Sequence, residues 1–127
     1  MYKKSIAIGA ILAAISVALG AFGAHGLKSI LNEDSLKIFE TAVRYQFYHS
    51  LALLFIGCAD KYISSTQIRL LIILFSTGII LFSGSLYAII FLKVFGITAN
   101  YLGIVTPFGG LSFITAWLMV VYISIKK

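Results

Sequence analysis

Residues 5–24 run for about twenty positions without a charge, with Lys3 and Lys4 before them and His25 and Lys28 after. At 1.5 Å per residue, such a run coiled as a helix covers the roughly 30 Å of hydrocarbon in a bilayer. Lipid offers no water to backbone amides, so a segment entering it must satisfy its own N–H and C=O groups, which a helix does within one stretch of chain. This selects a helical membrane protein before any other residue is read. Composition points the same way: 61% of the 127 residues are hydrophobic, 11% are charged, and mean hydropathy is +1.05. Soluble domains carry roughly 25% charge. The formal net charge of +6 does not indicate nucleic acid, because the ten Lys and Arg residues stand at the ends of apolar runs and form no basic stripe. They read as anchors to the lipid bilayer.

Counting between charges divides one domain, residues 1–127, into four expected spans at 5–24, 45–59, 70–92 and 107–125. The first has some features of a signal peptide, but its uncharged run is longer than a signal core of about 7–15 residues. Small residues at Gly9, Ala13, Ser16, Gly20 and Ala24 recur at three- and four-residue spacing and suit close helix packing. Gly84 in the third span and Gly109 in the fourth have the same expected role. Thr106 can cap the fourth span, with Pro107 in its first turn. Trp117 falls near mid-depth, away from an aromatic belt, and is expected between helices. Cys58 is the only cysteine, which excludes an intrachain disulfide, and it reads as a small buried apolar residue. The connection 93–106 is apolar for a loop and either rests in the interface or re-enters the membrane.

The second span is short. Its fifteen residues, 45–59, rise only about 22 Å as a helix. Upstream, Asn32 can cap a helix whose first turn holds Glu33 and Asp34. Residues 33–44 are amphipathic: Leu36, Phe39 and Val43 begin an apolar stripe that Phe47 continues, and Lys37, Glu40, Thr41 and Arg44 share the other face with Tyr48 beyond them. Two courses are open to this segment. It can lie along the interface and then turn, or it can run straight into the second span as one helix.

In the straight arrangement Arg44 stands about 8 Å inside the near boundary. Glu40, one turn earlier, is its expected ion-pair partner. His25 ends the first span on the same side as Arg44 and His49, so His25, Glu40, Arg44 and His49 form a candidate polar cluster. The plain role for His25 is a helix end, its imidazole bonding terminal carbonyls and Gly26 making a left-handed exit. For His49 it is a hydrogen bond to a neighbouring backbone or to a tyrosine. Metal or haem ligation is the alternative, but two histidines without matching acids fit no zinc spacing, and no cofactor is expected.

Two motifs, LGAFGAHGLK at 19–28 and FETAVRYQFYHSLALL at 39–54, resemble the YgdD/YwdK-like family of small four-span membrane proteins, whose molecular function is uncharacterised. The resemblance implies a fold and a place in the cell membrane, and it carries over no catalytic or ligand residue. The residues themselves show no nucleophile-and-base pattern, no phosphate-binding loop, and no Asp or Glu within the apolar spans. The expected architecture is therefore all-α: a four-helix transmembrane bundle with an amphipathic interfacial helical segment between spans one and two. The expected function is non-enzymatic, as an assembly or lipid-interacting factor, with a homo-oligomer or another membrane protein as partner. A small oligomeric transporter or channel is the alternative, and a membrane redox or metal-binding protein a further one. Six basic residues, Lys3, Lys4, Lys61, Arg69, Lys126 and Lys127, against Lys28, Lys37, Arg44 and Lys93 place both termini in the cytoplasm.

Overall fold

The computed structural model describes residues 1–126, so Lys127 of the basic count lies outside the described residues. The chain is all-α. Helix α1 (Lys3–His25) is followed by a 3₁₀ turn (Leu27–Ser29) and α2 (Glu33–Cys58). Helix α3 (Ser65–Gly78), a π-turn (Ile79–Ser83) and α4 (Gly84–Val94) form one rod of 30 residues, Ser65–Val94. A second 3₁₀ turn (Asn100–Ile104) leads into α5 (Thr106–Ile125).

The helix ends follow local chemistry. Asn32 accepts the Ser35 N–H at 2.9 Å, and Glu33 and Asp34 occupy the positive end of the α2 dipole. Ser64 and Gln67 form a capping box at the start of α3, satisfying one another's backbone N–H groups. Helix α4 ends at Gly96, whose φ of +77° allows Ile97 N–H to reach the Leu92 carbonyl and Gly96 N–H the Lys93 carbonyl. Gly26 does not make the expected left-handed exit. Its φ is −85°, and the chain continues right-handed into the 3₁₀ turn; what requires glycine here is Phe22, which lies where a side chain would stand. Thr106 is the first helical residue of α5 rather than its cap, and it shares a 2.6 Å hydrogen bond with Ser85.

Among the described residues, three helices are long and apolar enough to cross a membrane: Lys3–Ser29, Ser65–Val94 and Asn100–Ile125. Of the four expected spans, only 45–59 has no counterpart among them. The expected second span is the C-terminal part of α2, which has no break near residue 44 and so includes the segment 33–44 as its own first turns. Glu33, Asp34, Lys37, Glu40 and Arg44 on that one helix are what set it apart from the other three. No separate interfacial helix forms: α2 is unbroken from Glu33 to Cys58, and its first turns are held by Phe39, which lies against Gly23 of α1 and clusters with Ile90 of α4.

Helices α1 and α2 form an antiparallel hairpin joined along its length. The buried positions of α1 are Ser5, Gly9, Ser16 and Gly23, a stripe of small residues that brings the two backbones together. At Gly9 a Cβ would stand 2.8 Å from the Ser50 carbonyl, and at Gly57 a Cβ would meet Ile6 at 2.6 Å. Leu53, Ile56, Ile68, Leu71, Phe75, Phe113 and Ala116 belong to the main apolar core shared by α2, α3 and α5. A smaller cluster of Leu27, Phe39 and Ile90 closes the other end. Tyr2 N–H bonds the Gly57 carbonyl at 2.8 Å, and the Met1 ammonium pairs with Asp60 at 2.7 Å. The hydrogen bond from that ammonium holds the Asp60 carboxyl below its ordinary pKa.

The π-turn accounts for Gly109 of the fourth span and not for Gly84 of the third. Gly84 N–H reaches five residues back to Ile79, and the widened turn presents the Phe82 backbone to Gly109 of α5, closer than any side chain would permit. Gly84 itself has no neighbouring helix against it; the nearest atom to a Cβ there is the Ile79 carbonyl at 3.9 Å. Cys58, expected buried, is exposed as the last residue of α2. Gly9→Leu should therefore force the hairpin apart and destabilise the protein by about 1–3 kcal/mol, while Gly84→Ala should stay within about 0.5 kcal/mol of the parent. Thermal unfolding of both variants in one detergent measures the contrast.

Candidate functional site

The candidate site lies on α2, the helix that contacts α1, α3, the π-turn and α4. Four polar side chains are buried on it: Ser35 near its start, and Gln46, His49 and Ser50 farther along at 3%, 5% and 0% exposure. In an apolar bundle each must find a partner. Gln46 Nε2 donates to the Leu12 carbonyl of α1 at 2.9 Å, and Gln46 Oε1 accepts the Tyr87 hydroxyl of α4 at 2.8 Å. One amide thus links three helices. Ser50 Oγ turns back to the Gln46 carbonyl at 2.6 Å.

His49 is held just as fully. Its Nδ1 lies 2.6 Å from the Tyr45 carbonyl, which can only accept, and its Nε2 lies 3.2 Å from Trp117 Nε1–H, which can only donate. The proton is therefore on Nδ1, and the lone pair of Nε2 is engaged by the indole. The imidazole stacks on Phe113 with centroids 3.5 Å apart and planes 5° from parallel. Neither ring nitrogen is left free to bind a metal ion in this arrangement. Trp117 itself is 45% exposed, on the outer face of α5 with its N–H turned inward, rather than enclosed between helices.

Further hydroxyls close other helix contacts onto backbone carbonyls: Ser5 to Leu53, Ser83 to Ala42 and Ser112 to Leu74, each at 2.7 Å. Lys93 Nζ donates to Ser35 Oγ at 2.7 Å, tying the end of α4 to the start of α2.

The four residues of the expected polar cluster do not come together. His25 is exposed at the end of α1, and its imidazole makes no hydrogen bond among the described residues. His49 lies near the level of Leu12, the partner of Gln46, which is thirteen residues or about 20 Å from the level of His25 along α1. Glu40 and Arg44 do share a place, the rim of a groove between α1 and α2 that also includes Ser16, Gly20 and Val43. Both are exposed, and no ion pair between them is formed among the described residues. An exposed i,i+4 pair gains only a few tenths of a kcal/mol, which does not hold two long side chains together. Of the expected packing residues, Gly9 and Gly109 stand at backbone approaches, Gly20 meets only Val43 at 3.4 Å, and Ala13 is half-buried. Gln46 and Tyr87 were the missed members. Gln46, an amide inside the expected span 45–59, is the sequence signal for them.

A helix with a polar buried face, enclosed by apolar helices and joined to them through side-chain hydrogen bonds, defines a small helical membrane protein. Comparison with known sequences agrees: the family model described as "Protein of unknown function (DUF423)" matches residues 19–110, and the chain belongs to that family. It is 39% identical to UPF0382 membrane protein YwdK of Bacillus subtilis over 98% of both chains. It is 40% identical to UPF0382 membrane protein SAB0533 of Staphylococcus aureus, over 98% of this chain and 97% of that one. A UPF0382 membrane protein of Haemophilus influenzae is 36% identical over 100% of this chain and 98% of its own. No solved structure matches.

His49→Phe should cost about 1–3 kcal/mol by leaving the Trp117 N–H without an acceptor. In a Trp117→Phe background the same change should cost measurably less, since no donor remains to be orphaned. Thermal midpoints of the two single variants, the double variant and the parent complete the cycle; additive effects would mean that the hydrogen bond has no structural weight.

Proposed function

We propose that this chain is a multi-pass protein of the cell membrane in which α2 is the fourth crossing helix, and that it acts without catalysis as a lipid-interacting or assembly factor. The observation that carries the reading is the complete use of the buried polar groups of α2. Gln46, His49 and Ser50 are each committed to a neighbouring carbonyl, hydroxyl or indole, so the layer serves to hold helices together and leaves no free base or nucleophile within it. A helix that shares carbonyl and hydroxyl bonds with α1 and the Ser65–Val94 rod runs beside them through the same depth. Its charges Glu33, Asp34, Lys37, Glu40 and Arg44 are confined to one end, where headgroups and water can reach them.

Four crossings put residue 30 on one side and residues 61 and 126 on the other, the cytoplasmic side by the bias of Lys and Arg. Single cysteines in a Cys58→Ser background test this. Ile30→Cys should react with an impermeant thiol reagent added to intact cells, whereas Lys61→Cys and Lys126→Cys should react only after permeabilisation. Reaction of positions 30 and 61 from the same side would show that α2 does not cross. The lipid-interacting role is tested separately: stripping lipid from purified protein should lower its thermal midpoint, and adding back total membrane lipid should restore it.

A further inference from the structure

The groove between α1 and α2 differs from the other contacts of the hairpin in being open and in carrying both signs of charge. Its volume is about 380 Å³, within the roughly 300–1,000 Å³ of ligand sites. Its floor is made by Ser16, Gly20 and Val43, and Glu40 and Arg44 stand on its rim. These two charges have no ion-pair or hydrogen-bond partner among the described residues, although Arg44 stands beside an apolar trough where an uncompensated guanidinium is unfavourable.

Their order along the hairpin is the informative feature. Gly23 lies against Phe39, and Gly20 lies against Val43, so Glu40 stands level with the last residues of the uncharged run of α1. Arg44 stands one turn, about 6 Å, farther in. Beyond Arg44 the groove continues towards Ser16 as small and apolar surface. From the membrane surface inward the sequence is carboxylate, guanidinium, apolar trough.

An aminophospholipid presents the complementary order from the surface inward: a primary ammonium, a phosphate, then acyl chains. We infer that the α1–α2 groove binds one phospholipid with an ethanolamine-type headgroup, Arg44 holding its phosphate, Glu40 its ammonium, and the Ser16–Gly20 floor the first part of an acyl chain. The inference rests on the reading of this chain as a lipid-interacting protein with α2 crossing the membrane, and names the lipid class. A guanidinium is suited to phosphate oxygens through paired N–H donors. A carboxylate distinguishes a primary ammonium, which donates hydrogen bonds, from a quaternary one, which cannot. It also opposes an anionic headgroup that has no amine. Small residues in the floor leave room for methylene groups that larger side chains would displace.

The test uses the full chain, delipidated in neutral detergent and titrated with phosphatidylethanolamine, phosphatidylcholine or phosphatidylglycerol of identical acyl chains. Retained lipid is read by native mass spectrometry and the thermal midpoint is followed in parallel. The parent should prefer phosphatidylethanolamine about tenfold or more over the other two, the discrimination of one charge-assisted contact. Arg44→Gln should weaken binding of phosphatidylethanolamine by a similar factor. Glu40→Gln should erase the preference over phosphatidylcholine and raise retention of phosphatidylglycerol. Without lipid, both variants should unfold with the parent, because neither side chain has a protein partner to lose. A Gly20→Leu variant, filling the floor, should reduce retention of all three lipids with the charges intact.

Equal retention of the three lipids by the parent would overturn the inference, as would an unchanged preference in both charge variants. A parental preference for phosphatidylglycerol would also overturn it, showing Arg44 as an anion site with Glu40 uninvolved. So would a lipid-free dimer that Arg44→Gln dissolves, which would give the groove to a second copy of the chain. If the cysteine labels place positions 30 and 61 on one side, the crossing reading fails first. If they lie on opposite sides and lipid preference is absent, only the headgroup assignment fails.

Discussion

The structure depends on enclosing α2. A polar side chain buried among apolar helices is tolerated only when its hydrogen bonds are made inside the protein, and α2 carries Gln46, His49 and Ser50 on its buried face. Gln46 meets this demand by taking its two partners from different helices, Leu12 of α1 and Tyr87 of α4. The other helices are arranged around that need. Helix α1 comes close enough because Gly9 and Gly57 lack side chains at the contact, and α5 because Gly109 admits the Phe82 backbone.

Hydroxyl side chains extend the same logic outward. Ser5, Ser83 and Ser112 each donate to a backbone carbonyl of a neighbouring helix. Those carbonyls already accept within their own helices, so the serines use second lone pairs and leave helical hydrogen bonding intact. In lipid, where burial of apolar surface provides no driving force between helices, such bonds and the dispersion contacts of small residues are the available means of association. Outward-facing residues such as Ile11, Phe55, Ile80, Phe91 and Leu118 are large, apolar and exposed, as a surface meeting acyl chains requires.

The two ends of α2 therefore do different work. Farther along, the buried polar groups Gln46, His49 and Ser50 are all hydrogen-bonded. The first turns carry Lys37, Glu40 and Arg44, all exposed, and Ser35 alone among their polar neighbours is drawn inward, by Lys93. A helix graded in this way joins a hydrogen-bonded interior to a charged rim beside an open groove.

Much of this was legible in the sequence, because it depends on local constraints. The uncharged run 5–24 had to become a helix to satisfy its backbone, Asn32 with Glu33 and Asp34 had to start one, and the stripe Gly9, Ser16 had to face a neighbour. Tertiary structure decided what local rules leave free, which is the axial register and rotation of one helix against another. Those set His49 about 20 Å from the level of His25, turned Nε2 towards Trp117, and placed Gly109, not Gly84, at the backbone approach to the π-turn. They also left Glu40 and Arg44 exposed and unpaired among the described residues, since a gain of a few tenths of a kcal/mol does not hold two long side chains together. Register and rotation arise from the sum of many contacts between distant segments, and no single stretch of the chain contains that sum.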